Sequence, residues 1–164
     1  MKSAPELVAD IIDNLRRVFQ VVNEQSKKAE HETGITGPQL WAIKVIAEFE
    51  PIKSSDLARK MHLHPATVVG IIDRLEARGL VERRRSTRDR RIVEIALTYN
   101  GKQKISQSPE VAQGLLVSGL EELSDKKLKN LSEGLEQLVT ILGAQKIPPQ
   151  LILSPEVNLP KRRV

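Results

Sequence analysis

Residues 52–98 decide the fold, and they read IKSSDLARKMHLHPATVVGIIDRLEARGLVERRRSTRDRRIVEIALT. Apolar residues recur in the first half of this stretch at intervals of three and four positions, which places them on one face of a helix. The pattern is interrupted at residues 62–64 and stops before Gly79. The apolar positions are Leu57, Ala58, Met61, Val68, Ile71, Ile72 and Leu75. The spacing therefore predicts two short helices, residues 54–61 and 65–78, that are joined by a tight turn.

A strand-like pair follows the second helix. Residues 91–97 alternate apolar and polar positions, as a half-exposed strand does, and residues 80–84 form a shorter run before them. The connecting loop, residues 85–90, reads RSTRDR, so a hairpin here carries arginines at its tip. Two helices, a tight turn and a basic hairpin together predict a winged helix-turn-helix.

The positive charge is concentrated in this unit. The chain of 164 residues has a net charge of +5, but residues 53–104 alone contain 13 Lys and Arg against 6 Asp and Glu. This segment therefore carries +7 and the remainder of the chain −2. A local basic excess on a helix and a loop indicates a polyanionic partner, although a basic surface that is simply solvated is the alternative.

The composition excludes several classes of protein. The chain has no cysteine, so disulfides, thiolate metal sites and thiol-based redox sensing are excluded. No apolar run approaches the ~20 residues that a membrane-spanning helix needs, and the N-terminus lacks a signal-peptide core, so we expect a cytoplasmic protein. Only 2% of the residues are aromatic, and the core must therefore consist of aliphatic side chains.

Helices are also predicted before this unit. A capping box formed by Ser3 and Glu6 begins a long amphipathic helix that ends near Gly34. A second box, Thr36 and Gln39, begins a shorter and mostly buried helix that Pro51 closes.

After the hairpin, a helix that begins at Thr98 is interrupted near Pro109, and a last helix extends from Ser124 to Gly143. The last helix has coiled-coil-like apolar spacing. Together with the long N-terminal helix it offers more apolar surface than a small helix-turn-helix can cover, so we infer a dimer interface; an intramolecular bundle is the alternative.

The fold class expected from these elements is mainly α with a small β-hairpin wing. The chain divides into a helical dimerisation region (residues 1–34 and 99–143), a winged helix-turn-helix (residues 35–98) and an extended C-terminal tail (residues 144–164). The tail is rich in proline and differs in composition from the rest of the chain.

Duplex DNA suits this arrangement, because its major groove admits one helix whose N-terminal side chains reach the base edges. The basic hairpin suits the narrow minor groove, where negative potential attracts guanidinium groups. A basic loop of this kind also suits RNA or an acidic protein, but the neighbouring recognition helix favours DNA. The candidate contacts are His64, Pro65, Ala66, Thr67, Val69, Gly70 and Arg74 in the helix, and Arg84, Arg85, Arg88, Asp89, Arg90 and Arg91 in the hairpin.

Five segments resemble the MarR family of bacterial and archaeal transcriptional regulators: ITGPQ (35–39), DLA (56–58), TVVGIIDRLEARGLVER (67–83), RDRR (88–91) and LTYNG (97–101). The resemblance covers about residues 5–143. It implies an obligate homodimer that binds a pseudo-palindromic operator, with recognition helices in successive major grooves and wings in the flanking minor grooves. It also implies that Asp89 braces the wing, with Arg74 as its candidate partner, and that Arg90 reaches the minor groove.

Two positions depart from the family's pattern. Gly70 stands where the family often has arginine, and Ser86 stands where an acidic residue is frequent. The departure at Gly70 affects a base or phosphate contact, and the departure at Ser86 affects the turn of the wing.

Family members are commonly repressors that small aromatic or phenolic anions release from DNA, through a pocket between the dimerisation helices and the helix-turn-helix. The resemblance makes Trp41, His31 and Lys44 candidates for lining such a pocket. The alternative is a DNA-binding regulator without a small-molecule effector, either constitutive or controlled by a protein partner. The sequence offers no nucleophile beside a base, no phosphate-binding glycine loop and no metal-ligand spacing, so we expect no enzymatic activity, cofactor or metal.

Overall fold

Across residues 2–149 and Leu151, the part of the chain that this computed structural model describes, seven helices and three strands follow one another. Their bounds are α1 Ala4–Thr33, α2 Gly37–Phe49, β1 Ile52–Lys53, α3 Ser54–Lys60, α4 Pro65–Ala77, β2 Val81–Arg85, β3 Val93–Leu97, α5 Tyr99–Ser106, α6 Ala112–Glu121 and α7 Asp125–Ile141. The predicted class, mainly helical with a small hairpin wing, is confirmed.

The ends of the helices follow the local chemistry that the sequence indicated. At the start of α1, the backbone N–H of Ser3 donates to Glu6 Oε2 over 2.6 Å, and this hydrogen bond lowers the pKa of Glu6. The helix ends at Gly34, whose φ of 71° is in the left-handed region that glycine adopts without strain. The backbone N–H of Thr36 donates to Gln39 Oε1 over 3.2 Å and begins α2 in the same way.

The sheet contains one strand that was not predicted from the sequence. The strand order is β1-β3-β2, and both pairs are antiparallel. β1 has only two residues, and Ile52 pairs with Ile95 of β3. This edge strand ties the end of α2 to the base of the wing.

The core lies where α2, α3 and α4 pack on the base of the sheet. It is mainly aliphatic, as the composition required, although Trp41 is also buried in it, and the largest fully buried side chains include Leu40, Ile43, Ile46, Leu57, Met61, Ile71, Ile72, Leu75 and Ile95. The predicted break near Pro109 is confirmed, because α5 ends at Ser106 and α6 begins only at Ala112, after the buried Val111.

Two helices leave apolar faces uncovered by the rest of the described chain. None of the 17 residues of α7, all of which the structure describes, is buried. Along the first two thirds of α1, most of the large apolar side chains are likewise exposed, and Phe19 is 70% exposed, whereas Leu15 is half-buried and Val22 is buried. The intramolecular bundle, in which these faces cover one another, is therefore not what the structure contains.

The tail is described only in part. Residues 144–149 follow α7, and Leu151 is half-buried and packs against the core. Gln150 and residues 152–164 of the predicted tail lie outside the described residues. No helix in the described ranges combines the length and the apolar character needed to cross a membrane.

Candidate nucleic-acid interface

The recognition helix α4 has one buried face and one outward face. Val68, Ile71, Ile72 and Leu75 are fully buried and anchor the helix in the core. On the opposite side Pro65, Ala66 and Val69 are exposed, and Thr67, Gly70 and Arg74 are half-buried. The helical candidates from the sequence therefore share one surface, together with the exposed His64 at its start.

His64 is the N-cap of α4. Its ring Nδ1 accepts a hydrogen bond from the backbone N–H of Ala66 over 3.3 Å. Because Nδ1 acts as an acceptor, the neutral ring carries its proton on Nε2, where it is a donor. The residue thus satisfies a free helix amide and still offers an N–H group outward.

The turn between α3 and α4, predicted at residues 62–64, contains residues 61–64 in the structure. His62 has a positive φ of 49°, which is uncommon for a residue other than glycine, and His62 Nε2 lies 3.4 Å from Glu121 Oε1 of α6. Leu63 is half-buried and packs against the core, as expected of the apolar residue that fixes the angle between the two helices.

The tip of the wing is held by its own hydrogen bonds. The Ser86 backbone N–H donates to Ile92 O over 2.9 Å, and Ser86 Oγ accepts from the Arg88 N–H over 3.3 Å. Asp89 Oδ1 accepts from the Arg91 N–H over 2.9 Å. Ser86 is buried, so the departure from an acidic residue at this position is accommodated by a hydroxyl that forms the turn itself.

The arginines of the wing differ in their partners. Arg85 Nη1 donates to the carbonyl oxygen of Arg90 over 2.7 Å and so stiffens the loop, and Arg84 pairs with Glu82 on its own strand. Within residues 2–149 and Leu151, the guanidinium groups of Arg88, Arg90 and Arg91 have no ion pair or hydrogen bond, and all three residues are exposed. They are the cations that remain available to an outside anion.

The contact that braces the wing against α4 was not found from the sequence. Arg83 Nη2 of β2 lies 2.5 Å from Asp73 Oδ1 of α4, and Arg83 Nη1 also donates to Glu76. The hydrogen bond to Asp73 is the main cause that raises the pKa of Arg83. The resemblance assigned bracing to Asp89, and in the structure Asp89 Oδ1 accepts a hydrogen bond from the Arg91 N–H within the loop. The signal for the observed brace was the pair of acidic residues three positions apart on α4.

A cavity of about 320 Å³ lies between α2, the end of α3 and α6. Trp41 and Lys44, two of the three candidates for a ligand pocket, line it together. Lys44 Nζ lies 3.4 Å from Glu110 Oε1, and Lys60 Nζ lies 3.4 Å from the centroid of the Phe49 ring. The walls thus combine an aromatic surface with two cations.

His31 does not belong to this cavity. It lines a separate, open depression beside Arg78 and Lys104, on the side of the molecule where α1 ends near α5. The structure therefore does not bring the three pocket candidates together.

Comparisons with known proteins agree with this geometry. A model of the MarR family matches residues 35–93, which span the core helices and the wing. The uncharacterized HTH-type transcriptional regulator YsmB of Bacillus subtilis is 30% identical over 139 residues, which are 84% of this chain and 95% of that protein. The chain belongs to the MarR family.

Two further proteins are similar to this MarR-family chain. The HTH-type transcriptional repressor MdtR of Bacillus subtilis is 28% identical over 78% of this chain and 83% of its own length. The structure of a MarR family protein from Bacillus stearothermophilus is 26% identical, covers 87% of this chain and 99% of its own, and superposes with a TM-score of 0.53.

As a MarR-family member, the chain is a DNA-binding transcriptional regulator and not an enzyme. The family model matches residues 35–93, which lie within the winged helix-turn-helix predicted over residues 35–98. The outward face of α4 and the exposed arginines of the wing lie in this part.

Proposed function

We propose that this regulator is a homodimeric repressor that binds a pseudo-palindromic operator and releases it when a small aromatic anion binds beside Trp41. The observation that carries the proposal is the shared exposure of the α4 outward face and of three wing arginines that have no partner within residues 2–149 and Leu151. A similar protein, MdtR, bears the name of a repressor, which supports that sense of regulation.

The shape of the site supports a division of contacts on duplex DNA. The N-terminal half of α4 enters the major groove, where base edges differ between all four base pairs. Arg88, Arg90 and Arg91 project from the wing, and guanidinium groups are attracted to the negative potential of a narrow minor groove. Each neutralised phosphate releases counterions, so the affinity falls steeply as salt is raised.

The uncovered helices support the dimer. Leu131, Leu135 and Val139 of α7 are 43%, 51% and 41% exposed, and they repeat along one side of the helix. A large contiguous apolar face in water is unfavourable, and a second copy with the same face is a self-complementary partner. Residues 1–34 and 99–143 are therefore the proposed dimerisation region.

The cavity beside Trp41 supports a small anionic ligand. Its volume suits a molecule of one or two rings, and an aromatic wall beside lysines suits an aromatic carboxylate. A carboxylate that replaces Glu110 as the partner of Lys44 binds next to Lys60, which is the last residue of α3. A ligand bound at this position lies beside the end of α3 and therefore acts directly on the helix-turn-helix.

A fluorescence or gel-shift titration with the full chain and its selected operator tests the proposed contact between the wing and DNA. Arg90→Ala is expected to weaken binding about tenfold, because it removes a charge-assisted contact. The control Arg16→Ala removes an exposed arginine from α1, outside α4 and the wing. Equal affinities of wild type and Arg90→Ala would contradict the assignment of the wing.

The effector is tested with 2-hydroxybenzoate as the probe. Ligand that binds only the folded protein raises the melting temperature, and the proposal expects this rise in the wild type but not in Lys44→Met. The control Lys129→Met changes an exposed lysine of α7 and is expected to retain the rise. If several aromatic acids leave both the melting temperature and operator binding unchanged, the regulator acts without an effector of this class.

A further inference from the structure

We infer that the outward face of α4 selects thymine-containing operators by contact with thymine methyl groups, and that Gly70 allows the helix backbone to approach the base edges closely. The inference rests on the proposed entry of α4 into the major groove. It adds which bases are selected and by which chemistry.

The outward face of α4 is unusually apolar for a DNA-reading surface. Pro65, Ala66 and Val69 are exposed and present only carbon and hydrogen, and Val69 is 43% exposed. The core does not need these side chains, because the opposite face of the same helix is fully buried. The first two turns of the outward face contain no amide and no cationic side chain.

Thymine is the base that offers an apolar group in the major groove. Its C5-methyl contacts side chains such as alanine and valine, whereas the other groups on the base edges are hydrogen-bond donors and acceptors. Contact between two apolar surfaces removes both from water and is favourable. A face of methyl groups therefore discriminates thymine from cytosine at the contacted positions.

The polar groups beside this apolar face are also compatible with the selection of thymine. Because Nδ1 of His64 accepts from the Ala66 N–H, its Nε2–H is a donor, and the thymine O4 beside the methyl is an acceptor. Asp73 lies one turn beyond Gly70, and its carboxylate is paired with Arg83. This pairing reduces the repulsion between an acidic side chain and the phosphates.

Gly70 has no function within the chain that the structure explains. No heavy atom of the described residues lies within 4 Å of a Cβ added at this position, and its backbone is not in the left-handed region. A glycine inside a helix is destabilising relative to alanine. The missing side chain therefore leaves space for something outside the chain, and the base edges facing α4 occupy that space in the complex.

An apolar helix face can also bind a protein. The charge around it favours DNA, because Arg88, Arg90 and Arg91 of the adjacent wing are exposed and have no partner among the described residues. A protein partner would need an acidic surface beside an apolar patch, whereas duplex DNA presents phosphates on both sides of a groove that contains methyl groups.

The test begins with duplexes that the full-length protein selects from random DNA. In the best duplex, each thymidine is then replaced in turn by deoxyuridine, which lacks only the 5-methyl group. Binding is expected to weaken about fourfold for each contacted methyl, at adjacent positions in each half-site. Affinity that is unchanged by every replacement would overturn the inference.

Two variants assign the effect to residues. Val69→Ala should bind the thymidine duplex more weakly and lose sensitivity to deoxyuridine at one position, since the two changes remove the same contact. Gly70→Ala should raise the melting temperature and yet bind DNA about tenfold more weakly, because the new methyl meets the base edges. Gly70→Ala with wild-type affinity would overturn the proposed close approach.

Gly119→Ala is the matched control for the glycine variant. Gly119 is also a helical glycine with no heavy atom of the described residues within 4 Å of an added Cβ, but it lies in α6, outside α4 and the wing. Because α6 belongs to the proposed dimerisation region, sedimentation first checks that Gly119→Ala remains a dimer. It should keep both the affinity and the sensitivity to deoxyuridine. If no duplex is enriched over random DNA, the proposed operator binding itself is wrong. If duplexes are enriched but their affinity does not depend on deoxyuridine, only the proposed contact with thymine methyl groups is wrong.

Discussion

At the residue scale, the contacts at the base of the wing leave no space for a side chain at residue 101. Thr98 Oγ1 donates to the carbonyl oxygen of Gly79 over 2.6 Å and accepts from the Gly101 N–H over 3.0 Å. A Cβ added at Gly101 would lie 2.0 Å from the carbonyl oxygen of Leu80. The first turn of α5 therefore fits against the sheet only when residue 101 is glycine.

Gly101→Ala should lower the free energy of unfolding by about 3 kcal/mol, because backbone atoms must move to relieve the overlap. Urea unfolding followed by circular dichroism measures the change. Gly134→Ala, at a helical position with no neighbour within 4 Å of the new Cβ, is the control and should not destabilise. Equal urea midpoints for Gly101→Ala and wild type would contradict the close approach of residue 101 to the Leu80 carbonyl oxygen.

Glu50 links three elements through one carboxylate. Oε2 accepts from the Leu97 N–H over 2.7 Å, and Oε1 lies 3.0 Å from Lys102 Nζ. Burial raises the pKa of Glu50, but these two groups lower it more, so its pKa lies below the usual value of 4.5. A carboxyl with a lowered pKa in the folded state stabilises the protein above the unfolded pKa, and this contribution is lost as the pH falls through the folded pKa.

Glu50→Gln should therefore cost about 1 kcal/mol of stability at pH 7 and progressively less below pH 4.5. Urea unfolding of both proteins between pH 7 and pH 3 gives the difference at each pH. A difference that stays constant over this range would show that the charge of Glu50 does not stabilise the fold.

At the element scale, the orientation of the wing relative to α4 depends on Arg83. This side chain is only about one third exposed and joins β2 to both Asp73 and Glu76. Without it, the hairpin keeps its strand pairing but loses the charged contacts that hold it beside the recognition helix. The two DNA-contacting elements are then less rigidly aligned with the two grooves.

Arg83→Met should weaken operator binding several-fold while leaving the melting temperature nearly unchanged, and it should increase amide hydrogen exchange in β2. The matched variant Arg84→Met removes the neighbouring arginine, whose partner Glu82 lies on the same strand. Exchange in β2 should not rise in this control. Equal exchange in wild type and Arg83→Met would argue against the brace.

The helices were predictable from local sequence patterns. The features that were not predicted, strand β1 and the brace formed by Arg83, depend on contacts between residues that are distant in sequence. The capping boxes at Ser3 and Thr36 and the spacing of buried residues in α4 depend on residues a few positions apart. Strand β1 has two residues and exists because Ile52 pairs with Ile95, and the brace joins residues of different elements. The unpaired wing arginines were predictable as a group, but which of them remain free depends on the folded loop.

At the scale of the whole molecule, we distinguish a packed head from an arm, which is α7 together with the first part of α1. The head contains the aliphatic core beneath α4 and the wing, whereas α7 and the first part of α1 contribute little to that core. The two copies of the head in the proposed dimer are thus connected through the arms. Operator binding by two recognition helices then requires intact arms.

Leu135→Glu should convert the dimer to a monomer and strongly reduce operator binding, because a charge replaces a methyl-rich contact at the interface. Sedimentation measures the mass, and the near-native circular dichroism of the head should persist, since Leu135 is 51% exposed within its own chain. Lys129→Glu, at an exposed polar position of the same helix, is the control. A dimer that survives Leu135→Glu would locate the interface elsewhere.

The separation of α7 from the core has a consequence for a cell that contains several regulators of this fold. In the proposed dimer, changes in the apolar side chains of α7 alter which chains assemble with one another, while changes in the outward face of α4 alter which DNA is bound. These two properties belong to different helices. After gene duplication, sister regulators become insulated from mixed assembly through substitutions in the arm alone, with their target sites preserved.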